Sequence, residues 1–207
     1  PAAKFEQVVP SGDLNGDGFA DLLAVDNSGV LWLYPGKSGD AFSKPVRLGS
    51  GWSNRVISSP GDFNGDGIGD LIAVDDKGDL YFYPGKGNGN FGAANQAGWG
   101  WGDLEIIPAG DVTGDGVSDV LAIDSDGFLY YYAGDGNGRF KGKLTKVGQG
   151  WYGYDLYPAG DINGDGLADI LSIDRNGNLF THLGKEGGAF RKSFQSGKGW
   201  STYELFA

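Results

Sequence analysis

The sequence contains no cysteine, no methionine and a single histidine, His182, among 207 residues. Without cysteine the chain can form neither a disulfide framework nor a thiolate metal site. No run of 18 apolar residues is present, which excludes a membrane-spanning helix. Basic side chains are also scarce: 16 Lys and Arg face 27 Asp and Glu, giving a formal net charge of -11. That balance disfavours nucleic acid as a partner, because phosphates are neutralised mainly by Lys and Arg.

Glycine and aromatic residues are abundant, with 40 glycines and an aromatic content of 14%. Aromatic side chains at this level argue against disorder, because disordered chains lack the bulky groups that offset the entropy of ordering. The length favours one folded domain that is rich in turns. The chain starts at Pro1 without a methionine. We therefore expect a mature or excised segment from which any signal peptide has been removed.

One unit is repeated four times along the chain. The string Gly-Asp-x-(Asn/Thr)-Gly-Asp-Gly recurs with its first Asp spaced by 49, 49 and 50 residues. Another Asp follows 13 residues later and a Phe 29 residues later, and a Trp precedes the last three strings by ten residues. The period predicts a single domain, residues 1–207, built from repeats at approximately 4–51, 52–100, 101–150 and 151–199, with an extra copy of the first strand at 200–207.

The sequence of each unit predicts four short strands. In the first copy, an apolar run at 21–25 follows the Asp-rich loop, Asp26 and Gly29 have the spacing of a type I turn, and an aromatic strand covers 31–34. The fourth strand is expected to pass through the Phe, at 42–48, and the next unit's first strand to follow the Trp. No stretch has useful helical periodicity.

Successive apolar positions in two of the strands predict sheets that are covered on both faces. Repeated four-stranded sheets without helices favour an all-β, β-propeller-type fold, with an ordinary β-sandwich as the alternative that requires no strict period. The chain has five copies of the first strand but four of every other element. We therefore expect an open propeller, one completed by a partner, or part of a larger propeller, the alternative being a closed four-bladed ring.

The Asp-rich loop is the strongest chemical signal. In the first copy, residues 13–21, oxygen-bearing side chains fall at loop positions one, three, five and nine, with Gly at position six. Hard oxygen ligands in a flexible loop suit Ca²⁺ better than Mg²⁺. By analogy with EF-hand loops, the carbonyl at position seven would be a further ligand, although the EF-hand Glu at position twelve is absent. The candidate ligands are Asp13, Asn15, Asp17, Phe19 and Asp21; Asp62, Asn64, Asp66, Ile68 and Asp70; Asp111, Thr113, Asp115, Val117 and Asp119; and Asp161, Asn163, Asp165, Leu167 and Asp169.

These loops predict up to four calcium ions, one per repeat. The alternative is an Asx-turn loop without metal, but three carboxylates converging in a short loop would repel one another without a cation. Thr113 stands where the other loops have Asn, so the third site is expected to be weaker. Nothing nucleophilic or basic accompanies the loops in sequence, which favours a structural clamp over a catalytic centre.

At these residues the sequence resembles the FG-GAP/VCBS repeat family, which includes the integrin α-subunit propeller and some propeller lectins. The resemblance rests on Gly-Asp-x-Asn-Gly-Asp-Gly-x-x-Asp followed by two aliphatic residues, as at 61–72 and 160–171, and it covers essentially the whole chain. It implies that the loop residues named above bind calcium and that the protein is secreted or displayed on a cell surface. It also implies an adhesion or sugar-binding propeller, or an accessory module of a secreted hydrolase.

Few residues could support catalysis. His182 takes the place held by Tyr in the other copies, which predicts a structural residue, and a Ser-His-Asp triad would have to use it. A glycosidase needs only two carboxylates. Outside the loops and turns the acidic candidates are Glu6, Asp103, Glu105, Asp155 and Glu204. The last two and Glu105 share one phase of the repeat, which favours a repeated structural position over a unique catalytic pair.

The repeated Gly-Trp pairs are the candidates for ligand binding. A Trp face beside Gly can stack on a sugar ring, although packing between blades is the alternative. The candidates are Trp52, Trp99, Trp101, Trp151 and Trp200, of which Trp99 alone lies outside the repeat phase. We therefore expect a secreted, calcium-binding, non-catalytic module that recognises carbohydrate or cell-surface ligands. The alternatives are a protein–protein scaffold or spacer and a glycoside-active propeller enzyme.

Overall fold

The structure is a computed structural model that describes residues 4–39, 42–142 and 144–200. Within these ranges every regular element is a β-strand, and none of the described residues forms a helix that could cross a membrane. The strands are β1 (Phe5–Ser11), β2 (Asp21–Asp26), β3 (Val30–Tyr34), β4 (Val46–Ser50), β5 (Val56–Gly61), β6 (Asp70–Val74), β7 (Leu80–Tyr83), β8 (Asn95–Gly98), β9 (Glu105–Gly110), β10 (Asp119–Ile123), β11 (Phe128–Tyr132), β12 (Thr145–Gln149), β13 (Asp155–Gly160), β14 (Asp169–Ile173), β15 (Leu179–His182), β16 (Gly184–Lys185), β17 (Ala189–Phe190) and β18 (Phe194–Gly197).

Each repeat forms one four-stranded antiparallel sheet in which chain neighbours pair. The sheet orders are β1-β2-β3-β4, β5-β6-β7-β8, β9-β10-β11-β12 and β13-β14-β15-β18, with β16 and β17 as a small separate hairpin. The prediction of an all-β, propeller-type repeat with four complete units is confirmed. The expected extra strand at 200–207 falls, apart from Trp200, outside the described residues.

The chain divides into two compact units, Pro1–Gly102 and Asp103–Ala207, each holding two of the sheets. In each unit the first strands of the two sheets are neighbours, β1 with β5 and β9 with β13. The Gln7 side chain joins the first pair, because its amide donates to the Arg55 carbonyl and accepts from the Ile57 N–H. Both units therefore bury an apolar core between successive sheets. The prediction of a single domain stays a prediction.

The second strand of each repeat lies in the core. Every residue of β6 and of β10 is buried, which confirms the prediction, drawn from consecutive apolar residues, that both faces are covered. In the first unit, Leu23 and Leu31 of one sheet pack with Ile57 and Leu71 of the next. The second unit repeats this packing with the corresponding residues of β10, β11, β13 and β14.

The predicted path of the fourth strand is wrong at its start. We expected a strand through Phe42, but β4 begins at Val46. In the later repeats the corresponding Phe instead forms a separate bridge with the glycine that follows the third strand, as Phe91 does with Gly85. The Phe residue therefore closes a small hairpin at the loop tip, and the fourth strand pairs with the third only after that hairpin.

The turn between the second and third strands forms as predicted. In the first repeat the Gly29 N–H donates to the Asp26 carbonyl, and the Asp26 carboxylate accepts the N–H groups of Ser28 and Val30. The other three repeats make the same i to i+3 hydrogen bond between Asp and Gly. Gly29 has a φ of 69°, a conformation that Gly adopts without strain.

The in-phase tryptophans, which recur at the same place in the repeat, form hydrogen bonds to this turn. They are Trp52, Trp101, Trp151 and Trp200. The Trp151 N–H donates to the Gly127 carbonyl at 3.0 Å, and its three counterparts bond the equivalent turn glycine. The indole ring lies over the glycine three residues before the Trp: a Cβ added at Gly148 would meet Trp151 Nε1 at 2.6 Å. Each of these tryptophans therefore has a packing role in addition to any role in binding.

The close approach between glycine and indole predicts a sharp difference between two equivalent substitutions. Gly148→Ala should lower the free energy of unfolding by about 1–3 kcal/mol, because the new methyl group overlaps the Trp151 ring. Gly49→Ala is the matched control, since its Cβ would lie 3.8 Å from Trp52 Nε1. Urea unfolding curves measure both, and equal losses for the two variants would contradict this packing.

Candidate functional site

Each Asp-rich loop is fastened by a buried aspartate at position nine. Asp21, Asp70, Asp119 and Asp169 are at most 2% exposed. One carboxylate oxygen accepts the N–H of the residue at loop position two, at 2.8–3.0 Å. The other accepts the N–H of a glycine 15 residues downstream, just after the third strand, at 2.8–2.9 Å. This side chain therefore ties the loop to the end of the third strand in all four repeats.

The aspartate at position one accepts hydrogen bonds from several backbone N–H groups of the loop. Asp13 Oδ1 accepts the N–H of Gly16 at 2.7 Å and that of Asp17 at 3.2 Å, and its Oδ2 accepts the N–H of Gly18 at 2.7 Å. The other loops repeat these three bonds. Gly16 and Gly18 have φ values of 82° and 86°, so glycine is what allows the chain to wrap around the carboxylate.

Positions three, five and seven complete the loop. In the first copy Asn15 Oδ1 accepts the Asp17 N–H, and Asp17 Oδ1 accepts the N–H of Phe19 at position seven. In the third loop the Thr113 hydroxyl lies 3.2 Å from both Asp111 Oδ1 and Asp119 Oδ2. The loop is therefore closed by hydrogen bonds between its acceptor side chains and its own backbone.

These hydrogen bonds correspond to the Asx-turn alternative. Among the described residues, no group of three or more Asp, Glu, His or Cys side chains is gathered as a metal site. The donor chemistry nevertheless fits a hard cation, because each loop offers carboxylate and amide or hydroxyl oxygens and no nitrogen or sulfur ligand. A carboxylate oxygen that accepts one N–H also keeps a further lone pair. Calcium binding would thus require the loop side chains to change position.

Two of the buried carboxylates are electrostatically costly to ionise. Burial raises the pKa of Asp70 and of Asp119 to about 6, although backbone N–H groups act in the opposite direction. At position one the balance is reversed, since backbone hydrogen bonds, that of Gly18 foremost, lower the pKa of Asp13. A raised carboxyl pKa means that the charged form is less stable in the folded protein than in water. A neighbouring cation would offset that penalty.

In the third and fourth loops, a basic side chain of the protein lies beside the aspartate at position five. The Lys141 ammonium contacts Asp115 Oδ2, and Arg191 Nη2 lies 3.0 Å from Asp165 Oδ2. Both acids occupy position five. Partial burial is the largest single influence and raises the pKa of Asp115, but the hydrogen bonds from Lys141, the Val117 N–H and Thr113, together with the positive charge of Lys141, leave that pKa below its usual value. Among the described residues, these are the only ion pairs.

A cleft in the second unit gathers aromatic and polar side chains. It has a volume of about 360 Å³. Its walls are formed by Gly148, Gln149, Gly150, Trp151, Tyr154, Phe180, His182 and Ser193. The Trp151 ring centroid lies 5.8 Å from that of Tyr154 and 4.9 Å from that of His182, and Tyr154 lies 6.3 Å from Phe180. Rings at several angles around a small opening resemble the lining of ordinary small-molecule sites.

The five predicted ligand-binding tryptophans have different environments. Trp151 is half-buried and lines the cleft, whereas Trp101 is only 5% exposed. Trp52 is half-buried against Tyr83, with ring centroids 5.1 Å apart, and Trp200 is also half-buried. Trp99 is 82% exposed. The structure therefore places Trp151 in a cleft.

Sequence reasoning missed Tyr154 and Phe180. A signal for Tyr154 existed, because the residue three positions after the in-phase Trp is Arg55 in the second repeat and Leu104 in the third. Where Arg55 replaces the tyrosine, its guanidinium lies 5.3 Å from the Tyr81 ring centroid and donates to the Tyr83 hydroxyl. Of the four repeats, only the fourth has Tyr at this position, and Tyr203 repeats the same spacing after Trp200.

His182 is part of a buried pair. Its Nε2 lies 2.8 Å from Ser172 Oγ, and the two residues are 8% and 0% exposed. The other repeats have Tyr at the histidine position and Ala at the serine position. Because the hydroxyl is fully buried, this Ser-His pair serves as a hydrogen bond of the core, as the structural interpretation of His182 predicted.

Two of the acidic candidates for a glycosidase pair lie on neighbouring strands. Glu105 and Asp155 begin the neighbouring strands β9 and β13. Burial, and to a lesser degree the charge of Asp155, raise the pKa of Glu105. Because both residues occupy one repeated position, their proximity follows from the stacking of the repeats. Glu204 lies outside the described residues.

The Ser172–His182 pair predicts a pH-dependent stability. Burial holds the pKa of His182 below its ordinary value of about 6.5, so the unfolded chain binds a proton that the folded chain does not. The free energy of unfolding should therefore fall as the pH drops below about 6.5, relative to the double variant Ser172→Ala/His182→Tyr, which restores the residues of the other repeats. The relative loss is at most about 1.4 kcal/mol per pH unit.

Denaturant unfolding of both proteins between pH 7.5 and 5 checks this prediction, because the aspartates titrate in both and cancel in the difference. Parallel profiles would mean that His182 is not held neutral by the fold.

Comparison with solved structures supports the fold. The chain is similar to a lectin from Agrocybe aegerita, solved to explain specific recognition of non-reducing terminal N-acetylglucosamine, with 18% identity, a TM-score of 0.65 and coverage of 93% of this chain and 52% of the lectin. It is also similar to the BP39L lectin from Burkholderia pseudomallei, with 17% identity, a TM-score of 0.62 and coverage of 91% and 54%. The chain therefore spans about half the length of these lectins. No curated protein sequence matches it significantly.

The repeat itself is the feature that a family model matches. The FG-GAP-like repeat model matches three overlapping segments, 13–73, 62–122 and 111–172, each of which starts at the position-one aspartate of a loop. Together these segments span most of the chain. With the four loops and the four sheets described above, the chain belongs to the FG-GAP-like repeat family.

Proposed function

We propose that this chain is a non-catalytic carbohydrate-recognition module, and that the cleft around Trp151 binds the sugar. The observation that carries the proposal is the set of rings that converge on that cleft beside polar side chains. The two similar structures described above are lectins, which agrees with this assignment at the level of the fold.

The chemistry of the cleft suits a sugar ring. Sugars present C–H groups on one face, which stack on aromatic rings, and hydroxyl groups at the edge, which need hydrogen-bonding partners. Trp151, Tyr154 and Phe180 supply aromatic surface, while Gln149 and Ser193 supply polar groups at the rim. The volume of about 360 Å³ lies at the lower end of the range for small-molecule sites, which favours a short glycan terminus.

The aromatic surface predicts which substitution removes binding. Tyr154→Ala should weaken glycan binding at least tenfold, or about 1.4 kcal/mol, because it removes one wall of the cleft. Tyr152→Ala is the matched control, since Tyr152 lies two residues away, is 69% exposed and does not line the cleft. A glycan array that includes terminal N-acetylglucosamine identifies the probe, and titration calorimetry with that glycan gives the affinities.

A silent array, or equal losses for the two tyrosine variants, would overturn the assignment of the cleft. In the first case the exposed Trp99 would favour a protein partner, the second role that the sequence leaves open.

We further propose that the loops bind calcium, up to one ion per repeat, and that the module works outside the cell. The oxygen ligands at positions one, three, five, seven and nine would hold the ion, which would supply positive charge beside carboxylates that burial makes costly to ionise. Extracellular calcium modules bind at about 10⁻⁴ to 10⁻³ M, so this role suits a secreted or surface-displayed protein.

Calcium removal tests this second proposal. With free Ca²⁺ at roughly ten times the Kd, each occupied loop should add about 1.4 kcal/mol to the free energy of unfolding. The melting temperature should therefore be higher in CaCl₂ than in excess EDTA, and the same concentration of MgCl₂ should give a smaller rise because Mg²⁺ requires a tight octahedron. Identical melting curves in all three buffers would rule calcium out.

A further inference from the structure

The four repeats differ at a position that lies outside the Asp-rich loop. Thirty residues after the position-one aspartate stand Ser43, Gly92, Lys141 and Arg191 in the four repeats. In the last three repeats this residue directly follows the Phe that closes the hairpin at the loop tip. Because the repeats keep one register, the four residues occupy equivalent places, and two of them are basic.

The two basic side chains reach the same atom of the same loop position. Lys141 contacts Asp115 Oδ2, and Arg191 contacts Asp165 Oδ2 at 3.0 Å. The second oxygen of each carboxylate accepts the N–H of position seven, from Val117 and Leu167 respectively. Both oxygens of position five are therefore engaged in the third and fourth loops.

The first two loops lack this cation. Asp17 and Asp66 each accept the position-seven N–H on Oδ1, and the Oδ2 of Asp66 accepts a neutral side-chain amide from Asn64. No ion pair to either acid exists among the described residues. These two loops thus keep three uncompensated carboxylates each, whereas a basic side chain neutralises one in each of the other two.

We propose that Lys141 and Arg191 are built-in counter-ions of the third and fourth loops, and that calcium binding is concentrated in the first and second loops. This inference rests on the calcium binding proposed above and says which loops provide it. A protein cation on the position-five carboxylate must be displaced, or tolerated as a like charge, before a calcium ion can use that oxygen.

The expected effect is a weakening and not a loss of binding. Lys141 and Arg191 are 49% and 53% exposed in their side chains, and exposed ion pairs are weak and easily exchanged. We expect a calcium Kd about tenfold higher in the third and fourth loops than in the first and second. The fourth loop isolates the effect of the counter-ion, because it keeps the usual Asn163 while the third also carries Thr113.

Loop-resolved titration tests the proposal. The backbone N–H signals of the position-six glycines, Gly18, Gly67, Gly116 and Gly166, report one loop each when chelator-treated protein is titrated with CaCl₂ and followed by NMR. In the wild type, Gly18 and Gly67 should respond at about tenfold lower calcium than Gly116 and Gly166. The readout is binding alone, so it does not depend on any activity of the loaded protein.

Substitutions exchange the counter-ion between loops. Arg191→Ser should lower the calcium midpoint of the fourth loop about tenfold, and Ser43→Lys should raise that of the first loop by a similar factor. The second loop is unsuited to a gain of charge, because a Cβ at Gly92 would lie 2.7 Å from Pro84 Cγ. Lys192→Ser is the matched control: it removes one positive charge from the same segment and should leave the fourth loop unchanged.

The outcomes separate this inference from the calcium proposal. Equal midpoints for all four loops in the wild type, or a fourth loop that Arg191→Ser and Lys192→Ser shift equally, would overturn the counter-ion role and leave calcium binding in place. No response in any loop of any variant would overturn both.

Discussion

The fold of each repeat depends on one buried carboxylate. The aspartate at loop position nine accepts a backbone N–H from the start of the loop and another from just beyond the third strand, so it joins two segments that the sheet alone leaves separate. Backbone donors satisfy the carboxylate without cancelling its charge, and burial still raises the pKa of Asp70 and Asp119 to about 6. The same residue thus explains the order of the loop, and its burial is the physical reason why a neighbouring cation would be favourable in the proposed calcium site.

The features that distinguish the candidate sites lie where the repeats differ in sequence. A shared scaffold places equivalent side chains at equivalent points, so a change at one phase creates a local property without altering the sheet. Lys141 and Arg191 give two loops a cation of their own. Tyr154, together with His182, gives the fourth repeat an aromatic cleft where Arg55 and Tyr83 pair in the second. In the proposed function the loops therefore stabilise the module, and departures from the repeat determine what it binds.

The sequence predicts the period, the turns and the covered sheets, because each depends on local residue types repeated in register. It misplaces the fourth strand, since Phe91 pairs with the glycine after the third strand and local propensity does not distinguish that hairpin from the strand itself. The contact between Arg191 and Asp165, 26 residues apart, forms only when the fourth repeat folds. The cleft walls combine residues of β12 with residues of the next repeat, so they come together only when those two sheets are neighbours. The hydrogen bonds from backbone N–H groups that close the loops likewise depend on backbone geometry.

The most direct test of this account is hydrogen exchange at the four glycines that follow the third strands, Gly36, Gly85, Gly134 and Gly184. Their N–H groups donate to the buried aspartates, so they should exchange as slowly as the amides of the central strands, in EDTA as well as in calcium. The exposed loop amides of Gly18 and Gly67, which donate to the position-one aspartates, should exchange faster than these four glycines in EDTA and gain further protection when calcium is added. Exchange at the four glycines as fast as at the exposed loop tips would contradict the claim that the buried carboxylate holds each repeat together.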